Sequence, residues 1–231
     1  SWSNCLSWRN CGGHCDRHRF VVHRYECHFT TVSATDSPDV AELRRAIVIA
    51  GHSGDVDLIT KSLMHEHGSI RETALGAMAR IDQLTVEVLQ TFSRDVDSRV
   101  RIRVAELAAL FPDFDLVPSL QDADHQVVEM AAWACGEHES ARPEIINELT
   151  RLVLHYDDAL VREAAVAALG AIGDESGLPA ILSACQDKPA IRRRAVLALA
   201  PFDSPEVETA LKTALEDRDW QVRQAAEDLL G

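Results

Sequence analysis

A phrase of ten residues recurs along this chain and constrains its fold more than any other feature of the sequence. The clearest copy is Val161–Gly170, and successive copies begin 27 to 34 residues apart. The seven copies are Glu42–Gly51, Ile70–Ala79, Val100–Ala109, Val127–Gly136, Val161–Gly170, Ile191–Ala200 and Val222–Gly231. A repeat of this period is typical of a solenoid, in which units stack and each one contacts only its neighbours.

Each copy of the phrase has the pattern of an amphipathic helix, here called a phrase helix. Apolar residues at its positions 1, 5, 8 and 9 form one face of a period of about 3.6 residues. Position 5 is usually small, which lets neighbouring helices approach closely: Ala74, Ala131, Ala165, Ala195 and Ala226. Gly or Ala at position 10 suits a tight helix end.

A second helix is predicted after each of the first six phrases. The clearest examples are 145–154, 178–185 and 205–215. Pro143 and Pro205 suit the first turn of such a helix, and Asp158 and Asp219 suit the N-terminus of the next phrase helix. The sequence thus predicts an all-α fold, a right-handed α-solenoid of about six helix pairs plus a terminal helix.

Composition agrees with this prediction. Hydrophobic residues make up 46% of the chain and aromatic residues 5%, a mixture that suits close-packed helices better than a β-sandwich. No stretch approaches the roughly 18 apolar residues of a membrane span, so we expect none. The first residues lack the apolar segment of a secretory signal, and we therefore expect a cytoplasmic protein.

The charge of the chain restricts its partners. The formal net charge is −14, and residues 32–231 alone hold 19 basic and 35 acidic residues, a charge of −16. Nucleic-acid binding depends on Lys and Arg that neutralise phosphates, and anionic membranes attract the same cations. We therefore predict no nucleic acid and no membrane, and a protein partner with a neutral or basic surface.

Residues 1–31 differ from the rest and show no sustained helical or strand period. They contain Cys5, Cys11, Cys15, Cys27, His14, His18, His23 and His28. These donors suit zinc, but no paired C-x₂-C motif is present. The alternative is a non-native segment, of the kind that out-of-frame translation produces, with the real chain starting at Val32. The predicted domains are a disordered or non-native Cys/His-rich extension over 1–31 and the solenoid over 32–231.

The phrase resembles a known repeat. Asp-x-x-Val-Arg-x-x-Ala-x-x-x-Leu-Gly, seen in Asp158–Gly170 and Asp219–Gly231, is similar to the HEAT-like repeats named for phycobilisome lyases. The resemblance covers residues 42–231. It implies a structural ladder in which an arginine at position 2 pairs with acidic residues of adjacent turns. The five arginines are Arg71, Arg101, Arg162, Arg192 and Arg223, and Val128 interrupts the series.

The resemblance implies function only loosely, since such proteins include chromophore lyases, DNA-repair glycosylases, adaptors and deoxyhypusine hydroxylase. That hydroxylase binds two irons through His-Glu pairs at matching positions of its repeats. This chain has His65-Glu66 and His138-Glu139, but at different phases of the repeat. At the required phase stand Glu72 and Glu163, neither of which has an adjacent His. We predict no metal site and no cofactor.

Nucleophilic catalysis finds no support in the sequence. Cys135 and Cys185 lie in apolar helical stretches and are predicted to be inert core thiols. No Ser-His-Asp pattern and no glycine-rich phosphate loop is present. Trp133 has a phase next to the core, and Trp220 precedes the last helix as a cap contact or an exposed anchor.

The predicted function is therefore a non-catalytic scaffold or adaptor. Solenoids offer an extended concave surface, which we expect the second helices to line. Outward positions of these helices are the predicted partner contacts: Glu87, Gln90, Glu148, Arg151, Gln186, Glu208 and Lys212. The alternative is a role like that of the phycobilisome chromophore lyases or one of their subunits.

Overall fold

The computed structural model describes residues 37–138 and 141–231. Backbone contacts divide the chain into two units, 1–42 and 43–231. Of the first unit only the start of one helix is described, and the predicted extension over 1–31 lies outside the described residues. Everything that follows on packing concerns the second unit.

The described residues form thirteen α-helices and no strand. In chain order they are α1 Pro38–Ser53, α2 Val56–Ser62, α3 Gly68–Arg80, α4 Val86–Phe92, α5 Ser98–Ala108, α6 Val117–Leu120, α7 His125–His138, α8 Pro143–His155, α9 Ala159–Ile172, α10 Leu178–Ala184, α11 Pro189–Ala198, α12 Pro205–Ala214 and α13 Trp220–Leu230. Odd-numbered helices carry the phrases and even-numbered helices are the second helices. The predicted α-solenoid is confirmed, with six helix pairs and a terminal helix.

One second helix is much shorter than the others. α6 spans only four residues, Val117–Leu120. The segment before it, from Phe111, is taken up by a turn that the bond from Phe114 N–H to the Phe111 carbonyl closes at 2.9 Å. Since phrases three and four start only 27 residues apart, little chain remains for a longer helix.

The apolar positions of the phrase form the core. In α9, Val161 and Ala165 are fully buried, and Ala168 and Leu169 are 2% and 1% exposed. The position-5 alanines are buried in the same way in α3, α7, α11 and α13. Each phrase helix thus buries a stripe that it cannot cover alone, which is why the pairs stack.

The two layers of helices are packed at different densities. Backbones of successive phrase helices contact one another all the way from α3 to α13. Among the second helices of the described chain, extended backbone contact is confined to α8 with α6 and α10. The layer of phrase helices is therefore the more closely spaced of the two.

Helix starts are fixed by short side chains that accept backbone hydrogen bonds. Asp97 caps α5 by accepting from Arg99 N–H, Asp158 caps α9, and Asp219 caps α13. Thr85 caps α4 in the same manner. All four side chains satisfy free N–H groups at the helix start, and the three carboxylates also face the positive end of the helix dipole. No described helix has both the length and the apolar character that crossing a membrane requires.

Replacing Gly170 with Ala should destabilise the fold. A Cβ built there lies 2.7 Å from Ala198 Cα and 3.0 Å from its carbonyl oxygen, so α9 and α11 must separate. We expect a net loss of about 1–2 kcal/mol in the free energy of unfolding, measured by urea denaturation. Gly136→Ala is the graded control, since its Cβ lies 3.1 Å from Ala168 Cα. Equal losses in the two variants would contradict this packing.

Candidate functional site

A row of arginine–aspartate pairs joins successive repeats along one edge of the solenoid. Arg71 in α3 binds Asp95 in the turn before α5, with Nε–Oδ2 and Nη2–Oδ1 distances of 2.8 and 2.6 Å. The same two-point contact joins Arg101 to Asp122, Arg162 to Asp187 and Arg192 to Asp217. Two parallel N–H bonds to one carboxylate fix both distance and orientation.

Each of these arginines also holds the loop that precedes its own helix. Arg71 Nη1 donates to the His65 carbonyl at 2.7 Å, and Arg162 Nη1 donates to the Tyr156 carbonyl at 2.8 Å. Arg192 reaches the Asp187 carbonyl at 2.8 Å. One guanidinium therefore ties together its helix, the preceding loop and the loop of the next repeat.

The carboxylates of the row are held in their charged form. The hydrogen bonds from Arg162 lower the pKa of the Asp187 carboxyl, and those from Arg192 lower the pKa of Asp217. Asp217 Oδ1 also accepts from the Asp219 backbone N–H at 2.7 Å. The aspartate that pairs with the arginine thus also orients the aspartate that caps α13.

The fifth predicted arginine has a different environment. Arg223 Nη1 donates to the Asp217 carbonyl at 2.7 Å, as the other arginines do to their own loops. Within the described residues its side chain binds no carboxylate. Arg223 therefore contacts its preceding loop, as the other arginines do, but does not make the two-point contact with an aspartate.

The row is interrupted where α7 carries Val128, which is fully buried. Tyr156 lies five residues before its phrase, at the position where the row has an aspartate in other repeats. Those aspartates are Asp95, Asp122 and Asp217. Tyr156 is half-buried, and burial raises the pKa of its hydroxyl. Both partners of the missing pair are therefore replaced, which avoids leaving one charge buried alone.

The predicted partner contacts lie on the second helices and in one following turn. Six are exposed, namely Glu87, Gln90, Arg151, Gln186, Glu208 and Lys212. Glu148 is half-buried and accepts hydrogen bonds from Arg151 at 2.5 Å and from Gln121. Glu208 and Lys212 pair with each other at 2.5 Å. The structure brings these residues together as two intrahelical ion pairs plus separate exposed groups.

The histidines do not form a metal centre in the described part of the chain. His65 stacks on His67 with ring centroids 5.4 Å apart. His138 Nε2 lies 2.7 Å from the Ala108 carbonyl, and Glu139 lies outside the described residues. No group of three or more His, Cys, Asp or Glu among the described residues has the arrangement of a metal site.

Both described cysteines are poorly suited to nucleophilic chemistry. Burial raises the pKa of the Cys135 thiol to about 12 and that of Cys185 to about 11. A thiol that stays protonated at neutral pH is a weak nucleophile and a weak metal ligand.

Sequence reasoning missed a row of charges along the phrase-helix layer. It lies at positions 3 and 4 of the phrase, and we call it the charge strip. Its members are Arg44, Glu72, Arg103, Glu129, Glu163 and Arg194. Arg103 lies 3.1 Å from Glu72, and Arg194 lies 3.5 Å from Glu163. A comparison of positions 3 and 4 between all copies of the phrase shows this row of charges, whereas the pattern within a single helix does not.

The clefts of the described surface are open. One of about 470 Å³ lies between the ends of α8 and α10 and is lined by Tyr156, Arg162 and Asp187 among others. Another of about 400 Å³ lies between α12 and α13, with Phe202 and Leu230 on its walls.

Comparisons with known proteins agree with this architecture. Residues 115–190 match the family model of HEAT repeats, and residues 191–217 match that of the PBS lyase HEAT-like repeat. No curated protein matches the chain. The matched residues, 115–217, are under half of the chain and are similar to HEAT-like repeats. The α-solenoid fold does not by itself specify a function.

Three solved structures of similar fold are two engineered proteins and YibA of Escherichia coli. One engineered protein is 21% identical with a TM-score of 0.57, covering 74% of this chain and 95% of its own. The other is 20% identical with a TM-score of 0.59, covering 92% and 69%. YibA is 16% identical with a TM-score of 0.55, covering 85% and 75%. At these identities the similarity is one of fold.

Arg192→Met should cost about 3 kcal/mol of unfolding free energy at neutral pH, because it leaves Asp217 without its cation. The pKa of Asp217 is lower in the folded state than its ordinary 3.8. Its contribution is therefore present above pH 3.8 and is lost as pH falls through the folded value. We expect the difference between wild type and variant to shrink below about pH 4 in denaturation curves. Arg193→Met, at a half-exposed neighbour, is the control and should change stability by less than about 0.5 kcal/mol.

The interrupted position can be tested by rebuilding a pair there. Val128→Arg alone buries a charge, and Tyr156→Asp alone removes packing, so each should destabilise the fold. In the double variant the two new charges can pair. We expect a favourable coupling of at least about 1 kcal/mol in a double-mutant cycle of urea denaturation. Simple additivity would show that these two positions do not face each other.

Proposed function

We propose that the chain is a non-catalytic scaffold or adaptor that binds a protein partner with a neutral or basic surface. The observation that carries this proposal is that seven of its arginines form ion pairs within the solenoid. The four arginines in the row along the solenoid edge each bind an aspartate. Arg44, Arg103 and Arg194 contact carboxylates of the charge strip. The surplus of the chain, 35 acidic against 19 basic residues in 32–231, therefore falls on exposed carboxylates.

Several of these carboxylates lie on the second helices. Glu87, Glu144, Glu206 and Glu216 are exposed on or beside α4, α8 and α12. Complementary charge speeds the encounter with a basic partner and disfavours acidic ones. The same surplus opposes binding to phosphate backbones.

The packing of the layers bears on where a partner binds. Within residues 43–231 the phrase helices are the more closely spaced layer, and a two-layer array bends toward its closer layer. We therefore expect the second helices on the outer side of the curve, not on the concave side that we predicted from the sequence. We retain their seven residues as proposed contacts, because six of them are exposed.

Binding should be measured first by using the full chain as bait in an extract of its source organism. A stoichiometric protein partner is then purified and its Kd determined at two salt concentrations. We expect Glu87→Lys with Glu208→Lys to weaken binding by about tenfold, since charge repulsion replaces attraction. Glu227→Lys with Asp228→Lys, at exposed carboxylates of the phrase helix α13, is the control. Equal affinity of both double variants would remove the second helices from the contact.

The alternative, a role like that of a chromophore lyase or its subunit, is favoured by the match of residues 191–217 to the PBS lyase HEAT-like repeat. The same eluate distinguishes the two functions by its visible absorbance and metal content. A bait that carries pigment or metal in stoichiometric amount and captures no protein would overturn the scaffold proposal.

A further inference from the structure

The four paired arginines of the edge row all use their guanidinium groups in the same way. Nη1 donates to a carbonyl of the loop before the helix, and Nε and Nη2 together bind one aspartate of the next loop. For Arg162 the distances are 2.8 Å to the Tyr156 carbonyl and 2.7 and 3.0 Å to the oxygens of Asp187. A planar guanidinium that is held at Nη1 presents its other two nitrogens in a fixed direction.

Arg223 of α13 makes the same loop contact but binds no aspartate. Its Nη1 donates to the Asp217 carbonyl at 2.7 Å, within the 2.7–2.8 Å range of the paired arginines. Among the described residues this is its one hydrogen bond, so Nε and Nη2 have no acceptor there. Arg223 therefore presents a guanidinium that is oriented for a two-point contact and lacks the carboxylate.

The carboxylates of the loop before α13 are already bound. Asp217 is held through both oxygens by Arg192, each at 2.7 Å. Asp219 accepts from the Gln221 N–H at 2.9 Å as the cap of α13. Arg218, between them, is exposed, and its charge helps to lower the pKa of the Asp217 carboxyl. The loop thus offers a second cation and no available anion to a carboxylate that approaches Arg223.

The outer face of α13 is polar where the other phrase helices are apolar. Position 6 of the phrase is at most 1% exposed in the other six helices, as Ile47, Leu75, Ala105, Ala132, Val166 and Val196. In α13 it is the exposed Glu227. An apolar helix packed at this position would bury the carboxylate unfavourably. The surroundings of Arg223 therefore suit a polar ligand.

The paired aspartates show which ligand such a guanidinium takes. Three of the four belong to an Asp-x-Asp turn that opens a helix, namely Asp95 with Asp97, Asp122 with Asp124, and Asp217 with Asp219. The first aspartate binds the arginine, and its Oδ1 also accepts the N–H of the second at 2.7–2.9 Å. The second aspartate caps the helix that follows. The turn thus orients its first carboxylate before the arginine binds, which favours the contact.

An exposed indole lies beside Arg223. Trp220 is three residues earlier on α13 and so on the same side of the helix, and it is 64% exposed. Its ring offers apolar contact area and its Nε1–H is a hydrogen-bond donor. The matching residues of the four helices with paired arginines are small: Gly68, Ser98, Ala159 and Pro189. The end of the row at α13 therefore has a contact group that the paired positions lack.

We propose that Arg223, with Trp220 and Arg218 beside it, binds an Asp-x-Asp turn of a partner protein. The first aspartate of that turn takes Nε and Nη2 of Arg223, so that the arginine–aspartate row continues from this chain into the partner. The inference goes beyond the proposed scaffold function, whose contacts lie on the second helices. A single acidic turn is compatible with a partner whose surface is neutral or basic elsewhere.

The site is tested by NMR on the full chain, in which the Nε–Hε signal of each arginine reports its own contacts. The probe is a blocked pentapeptide, Gly-Asp-Gly-Asp-Gly, and the uncharged control is Gly-Asn-Gly-Asn-Gly. We expect the acidic peptide to shift the Arg223 signal in a saturable manner and to leave that of the exposed Arg94 unchanged. Equal shifts at the two arginines, or equal effects of the two peptides, overturn the site.

Two conservative variants measure the contribution of the guanidinium. Arg223→Lys keeps the charge but cannot make the two-point contact, so we expect it to weaken binding of the acidic peptide by at least about fivefold. Arg193→Lys, at a half-exposed arginine of α11, is the matched control and should leave the affinity unchanged. Urea denaturation checks that both variants are folded, and the signal of Arg223 in the wild type does not depend on either. Equal affinities of the two variants contradict the proposal.

The site and the scaffold function fail in different ways. A captured partner that binds wild type and Arg223→Lys with equal Kd overturns the site and leaves the scaffold function standing. If no partner is captured, the scaffold function fails, and the peptide titration still decides whether Arg223 binds the turn. Self-association of the chain that Arg223→Lys abolishes would make a second copy the ligand and overturn the partner protein as the occupant.

Discussion

The structure depends on an arginine in one repeat that binds an aspartate in the turn leading to the next. Arg162 illustrates it, with two N–H groups on Asp187 and a third on the Tyr156 carbonyl. Since one planar group satisfies atoms from three backbone segments, it fixes how far apart and at what angle successive repeats lie. The apolar face of each phrase helix then meets its neighbour in register, and small residues such as Gly170 allow the close approach that follows.

The fold could be predicted because its information is local and repeated. Each phrase carries its own apolar stripe, and Pro143 and Pro205 begin α8 and α12 as the sequence indicates. The short α6 was not predicted, because the turn at Phe111 competes for the same residues. The charge strip was also missed, because its contacts join residues about one repeat apart, such as Glu72 and Arg103. Only the register between helices decides which charges meet.

The two helix layers differ in what they offer a partner. The second helices carry exposed groups of mixed type, several of them already paired within one helix, as Glu208 is with Lys212. The phrase helices from α3 to α11 expose few residues, so the side chains that they do expose lie on a closely packed layer. A rigid layer of this kind loses little side-chain freedom on binding, which favours specific recognition over mere attraction.

Val128 and Tyr156 stand where other repeats have an arginine–aspartate pair. The joints between successive phrase helices therefore differ in their chemistry. Joints held by ionised carboxylates loosen in acid, because protonation removes the charge that the guanidinium binds. The joint between α7 and α9 is held by apolar packing, which is insensitive to protonation. Falling pH therefore acts on the four paired joints and spares the joint between α7 and α9. The array thus contains joints that acid weakens and a joint that acid leaves intact.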